Sequence, residues 1–162
     1  DMAFRAGTPG TLGGKVRRIA DLAMCLVASP EYLAQNDEPK TPDDLEALAY
    51  VQYFEDPDER TITLQQGRSR IDAPVKPAFA AQVSHLIMHA ARNHLGFVKV
   101  ARAIAADDLA AGRLVELLPA TPPIDKPLYL VTNTAFRATR RSEVFLAEVS
   151  AAVAKARGLT LA

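Results

Sequence analysis

Residues 22–28, Leu-Ala-Met-Cys-Leu-Val-Ala, form an unbroken apolar run that stops at Ser29-Pro30. A run of this length with no polar side reads as a strand covered on both faces. It is far too short to span a bilayer, which needs roughly 18 or more apolar residues. A doubly covered strand demands layers, and the sequence around it supplies helices. Ser29 is placed to cap a one-turn helix, with Pro30 at its first position and the turn ending near Leu33. Thr41-Pro42-Asp43-Asp44-Leu45 repeats the start signal, with a hydroxyl, a proline and two carboxylates at the positive helix end.

The rest of the chain alternates in the same way. Residues 1–5 read as a strand, followed by a glycine-rich loop over 8–14. Residues 50–54, 61–64 and 68–72 read as short strands, the first pair joined through Asp56-Pro57-Asp58-Glu59 and the second through Gln65-Gln66-Gly67. Residues 80–95 read as the clearest helix, with Val83, Leu86, Ile87, Ala90, Ala91 and His94 on one face and His85, His89, Arg92 and Asn93 on the other. Gly96 is its expected closing glycine. Strands at 97–100, 114–118 and 128–132 and helices at 103–110 and 142–155 complete the pattern, which is that of an α/β fold. The linker 120–126 and the loop 35–40 suggest two crossings between two lobes. The expected division is 1–36 as a partial first lobe with its crossover, 37–124 as a second lobe, and 125–162 as a return strand and helix packed on the first.

Composition narrows the function classes. With 19 basic and 19 acidic side chains the 162-residue chain has a formal net charge of +0, poor equipment for gripping a nucleic acid. At 49% hydrophobic and 23% charged residues, bulk disorder is excluded. One cysteine, Cys25, allows no internal disulfide and points to a reducing, cytoplasmic compartment. No basic-then-apolar leader precedes the first strand, so neither export nor a membrane is expected. The chain enters directly in strand-like sequence at Asp1 and is expected to be part of a longer protein.

The candidate chemistry is thin. Gly14-Lys15 lacks both the upstream glycine and the following hydroxyl of a phosphate loop, having Pro9 and Val16 there. His85 and His89 share a spacing that suits two zinc ligands, but Leu86 stands where a metalloprotease has glutamate, and a solvated face is favoured over a metal. Cys25, among Met24 and Leu26, reads as a core thiol rather than a nucleophile. The acidic turn 55–59 lacks an EF-hand pattern. Arg137, Arg140, Arg141, Lys155 and Arg157 are too sparse for a nucleic-acid patch. No nucleophile, base and orienter come together, so neither catalysis nor a cofactor is expected. One geometry does point to a ligand. The helix expected from Ala80 opens with Ala80, Ala81, Gln82 and Val83 beside Lys76, with no carboxylate to neutralise its free N–H groups. That end suits a small anion, and capping by water or a loop stands as the equal reading.

Ala28-Ser29-Pro30-Glu31-Tyr32-Leu33, then Pro39-Lys40-Thr41-Pro42-Asp43-Asp44-Leu45, resembles the A-S-P-x-Y-L and P-x-T-P-x-D-L signature of LysR-type transcriptional regulators. Ala90-Ala91, Leu95-Gly96-Phe97 and the run from Asp108-Leu109 to Gly112-Arg113-Leu114-Val115 are similar to later motifs of that family. Asp1-Met2-Ala3-Phe4-Arg5 is similar to its D-[VIL]-A-[IF]-R strand, and Phe145-Leu146 to its closing F-L/I segment. The resemblance spans essentially the whole chain. It implies a two-lobed effector-binding domain, like type II periplasmic binding proteins, with the second lobe complete and the first partial. The family's winged helix-turn-helix and first two strand–helix units are expected outside these residues, so DNA would be met only through that other domain.

The resemblance further implies a small, anionic effector held between lobes, side-by-side homodimers, and a switch in lobe angle or dimer packing. By position in the family pattern, Arg5, Arg17 and Arg18 would supply charge, Phe79 an apolar wall, and Ala80, Gln82 and Val98 the remaining contacts. A solute-binding module unrelated to transcription is the alternative. The family often has Gly-x-Gly after the long helix, where this chain has His94-Leu95-Gly96.

Overall fold

The computed structural model describes residues 2–7, 14–53, 60–133, 137, 139–155 and 159–161. The elements run β1 (Met2–Ala6), β2 (Gly14–Leu22), β3 (Met24–Ala28), α1 (Pro30–Gln35), a 3₁₀ helix (Pro42–Ala47), β4 (Ala49–Tyr53), β5 (Thr61–Gln66) and β6 (Ser69–Pro74). There follow β7 (Lys76–Ala81), α2 (Ser84–Arg92), β8 (Phe97–Ala101), α3 (Arg102–Ala110), β9 (Val115–Leu117), β10 (Lys126–Asn133), α4 (Arg140–Lys155) and β11 (Leu159–Leu161). They divide into two compact units, Asp1–Ala23 with Asp125–Ala162, and Met24–Ile124. The residues from Met24 to 36, which the sequence reading grouped with the N-terminal segment, therefore lie in the middle unit.

The middle unit is built on a five-stranded sheet in the order β7-β4-β8-β3-β9, with β7, β4 and β8 parallel and β3 antiparallel to both its neighbours. β3 shows why its sequence is apolar throughout. Leu26 and Ala28 join one core with Tyr50, Phe97, Leu117 and the hairpin residues Ile62 and Leu64. Cys25 and Val27 join the other, with Ile87, Met88 and Ala91 of α2 and Ala105 of α3. Each fully buried aliphatic side chain contributes about 1.5–3 kcal/mol. The antiparallel hairpin β5–β6 turns at Gly67, whose φ of 60° needs no Cβ.

The other unit is an antiparallel sheet in the order β1-β10-β2-β11, with α4 in the same unit. Phe4 of β1 meets Phe145 of α4 with ring centroids 6.2 Å apart.

Several boundaries differ from the sequence reading. The apolar run at 22–28 is not one strand: Leu22 ends β2 and Met24 begins β3, in different sheets. β2 itself carries an extra residue, Ile19, because Leu128 pairs with Ala20 while Tyr129 pairs with Arg18. That bulge destroys the two-residue alternation by which a strand is recognised. β4 does not pair with β5 but sits centrally between β7 and β8, as its buried Tyr50, Val51 and Gln52 require. Residues 76–81, expected to lead into a helix, are the strand β7, and α2 begins only at Ser84. Alanine-rich sequence is ambiguous locally, and parallel pairing with β4 decides it.

Gly96 does not cap α2. His94, at φ 62°, makes the left-handed turn, and Gly96 is needed for packing: a Cβ there would lie 2.3 Å from the carbonyl oxygen of Ala49.

Candidate effector site

Because β7, β4 and β8 run parallel, their carboxyl ends at Ala81, Tyr53 and Ala101 share one edge of the sheet. Met24, paired with Ala101, brings the start of β3 to that edge as well. Open α/β sheets bind ligands beyond this edge, where helix N-termini collect. Here α2 starts from the end of β7 and α3 from the end of β8. Their N-cap residues, Val83 and Ala101, have no side-chain oxygen to offer, and neither first turn holds an acidic residue. Two uncapped, partially positive helix starts thus flank the end of β4. Tyr53, Phe79, Gln82 and Val83 are exposed there, and Ser84 is half-buried. Arg102, at the start of α3, is ion-paired with Glu116 of β9.

The far ends of the same helices are locked together. Asp108 of α3 has a side chain only 1% exposed, and it accepts from Arg92 Nε at 3.0 Å, Arg92 Nη2 at 2.6 Å and Arg113 Nε at 2.6 Å. These charged donors, Arg92 first, hold its carboxyl below the usual carboxylate range against the opposing cost of burial. The clamp fixes α2 relative to α3 and so fixes the spacing of their free N-termini.

Among the residues singled out by sequence, Phe79 and Ala80 lie on β7 and Gln82 follows it, so the three gather at this edge. Val98 does not join them. It is wholly buried, flanked by Val27 and Val51 in the sheet and clustered with residues of α2 and α3, and its side chain serves the core. Arg5, Arg17 and Arg18 belong to the other unit. Register places Arg5 and Arg18 on either side of Tyr129, whereas Arg17 pairs with Leu130. Arg18 also holds Asp21 at 2.5 Å, and this bond raises its pKa.

Most of the remaining sequence candidates lie among the described residues. His85 and His89 are both exposed on α2, and no group of three His, Cys, Asp or Glu side chains is arranged to hold a metal. The Cys25 thiol is buried, its pKa pushed up to about 11 by desolvation, and its Sγ lies 3.6 Å from the carbonyl of Val100. The acidic turn 55–59, most of the loop 8–14 and Arg157 lie outside the described residues. A groove of about 970 Å³ opens at the opposite edge of the sheet, by Leu33, Asn36, Asp37, Glu38 and Lys40. Its carboxylates disfavour an anion. Sequence reasoning missed Tyr53, Ser84 and the Asp108 clamp. Only Ser84 carried a local signal, as a small hydroxyl residue at a helix start.

The model of the family described as LysR substrate binding domain matches residues 1–154. The chain belongs to that family. Over 118 residues it is 25% identical to the HTH-type transcriptional regulator CrgA of Neisseria meningitidis serogroup B, an alignment covering 73% of this chain and 39% of CrgA. It is 28% identical over 157 residues to the uncharacterized HTH-type transcriptional regulator YhjC of Escherichia coli K12, covering 90% of this chain and 50% of that protein. The chain thus spans half or less of these relatives. The structure of the CrgA regulatory domain matches with a TM-score of 0.79 at 24% identity, over 94% of this chain and 74% of that one. The fold is that of a LysR regulatory domain, as the sequence motifs led one to expect.

Proposed function

We propose that this LysR substrate binding domain is the effector-sensing part of a transcriptional regulator and that its effector is a small organic anion. The observation that carries the reading is the pair of uncapped helix starts at one sheet edge, beside Tyr53, Gln82 and Ser84. An anion there accepts from the free N–H groups of α2, while Phe79 and Val83 supply apolar surface. Arg5 and Arg18, about Tyr129, are the residues this reading assigns to effector binding in the other unit. The domain binds and does not catalyse. DNA contact falls to a separate helix-turn-helix, assembly is as a homodimer, and the setting is the cytoplasm. No helix among the described residues is long and apolar enough to cross a membrane.

The test is a thermal-shift screen of carboxylates, including benzoate, succinate and citrate, on the wild-type chain and on Ser84→Asp. A binder at one hundred times its Kd adds about 2.7 kcal/mol, or roughly 5–10 °C in a chain of this size. Ser84→Asp puts a carboxylate at the start of α2, so it stabilises the unliganded chain and abolishes the response. No response to any acid, or an undiminished one in the variant, contradicts the proposal. The coding sequence upstream of Asp1 separates regulation from solute transport: a helix-turn-helix supports the first and an export signal the second.

A further inference from the structure

His94 occupies a left-handed backbone conformation, φ 62°, at the position where the family pattern carries the first glycine of Gly-x-Gly. This left-handed residue ends α2, with the Leu95 N–H donating to Ala90 O at 3.1 Å and the His94 N–H to Ala91 O at 3.3 Å, and histidine is among the residues that adopt it. The His94 Nδ1 lies 2.7 Å from Oγ of Ser29, a residue with no exposed surface at the end of β3. The same Oγ accepts the Tyr32 N–H at 3.2 Å and so caps α1. Glu31, also on α1, has Oε2 3.8 Å from that one ring nitrogen.

We propose that His94 is a proton-operated clasp between α1 and the turn that ends α2. Ser29 has one hydroxyl hydrogen. Because its oxygen already accepts from Tyr32, that hydrogen is free to be donated to Nδ1 of a neutral ring protonated at Nε2. Protonation places a hydrogen on Nδ1, which then cannot accept. The Ser29 hydroxyl hydrogen then loses its acceptor, and Nδ1–H donates instead, to the second lone pair of Ser29 Oγ or to the Glu31 carboxylate 3.8 Å away. Protonation of Nδ1 thus reverses or moves the hydrogen bond that ties this turn to α1.

The charged surroundings permit this exchange. α1 presents Glu31, and the end of β3 presents only the uncharged Ser29. β4, whose Ala49 backs Gly96, brings no charge to the turn. On the ring's own helix, His89 is exposed and Arg92 is committed to Asp108 of α3. Since the opposite end of α2 forms the candidate effector edge, the clasp acts on the helix that presents that edge.

Nuclear magnetic resonance of the 162-residue chain tests the clasp by following the His94 ring and the Tyr32 amide from pH 5 to 8. In the wild type the amide is displaced with the same midpoint as the ring. His94→Asn, which suits the left-handed backbone and does not titrate, loses the displacement. Glu31→Gln, with no carboxylate for the ring to turn to, diminishes it. A Tyr32 amide indifferent to pH overturns the proposal. So does one that moves equally in His94→Asn, or one unaffected by Glu31→Gln.

Discussion

The Asp108 carboxylate ties α3 to Arg92 of α2 and to Arg113 beyond its own helix. Its oxygens hold two guanidiniums whose outer atoms reach solvent, so its loss strands charges that can partly rehydrate. Asp108→Asn is therefore expected to cost about 2 kcal/mol, below the 3–5 kcal/mol of a wholly buried pair. That is a fall of roughly 4–8 °C in Tm for a chain of this size. The carboxyl's folded pKa lies below its unfolded value, near 3.9. Its stabilisation is accordingly complete above that pH and is lost as pH falls through the folded value. Melting curves of wild type and Asp108→Asn should differ at pH 7 and converge in strong acid. A constant difference would show that the aspartate acts through shape alone. No sequence pattern announces this clamp, because Arg92, Asp108 and Arg113 meet only once α2 and α3 have packed.

At the scale of elements, α1 is a six-residue helix too short to stand by its own hydrogen bonds. Its start was legible: Ser29-Pro30 is a cap and a first-turn proline, and Ser29 Oγ does accept from Tyr32. Ser29→Ala is expected to cost about 1–2 kcal/mol in chemical denaturation, with an unchanged m-value. A negligible cost would mean that the anchoring of the Tyr32 side chain holds the helix instead, through its hydroxyl contact at 2.8 Å to the Ala49 N–H. Elements declared by local chemistry were read correctly in this way, including the turn at Gly67. β2 and β7 were not. The bulge at Ile19 hides the alternation of β2, and β7 is fixed by its partner β4 rather than by its own residues. The late start of α2 follows from the same cause. The first turn of α2 lacks an acidic residue whether the helix starts at Ala80, as expected, or at Ser84, as observed.

Across the whole molecule, the family motifs carried more than periodicity did. They are spread through residues 1–154, the span matched by the family model. They anticipated the α/β architecture and left the contact residues as expectations, of which Val98 proves to be core. A ligand site depends on which side chains remain exposed after packing, and position in a motif does not record that. The proposed function has this domain capture a small organic anion at the carboxyl edge of β7, β4 and β8. The most direct measurement is an amide-resolved titration of the chain with benzoate, succinate and citrate. Saturable shifts are expected for at least one acid, concentrated at Ser84 and His85 and absent in Ser84→Asp. Shifts confined to the groove by Leu33, Asn36 and Lys40, or no saturable shift with any of the three, would contradict it.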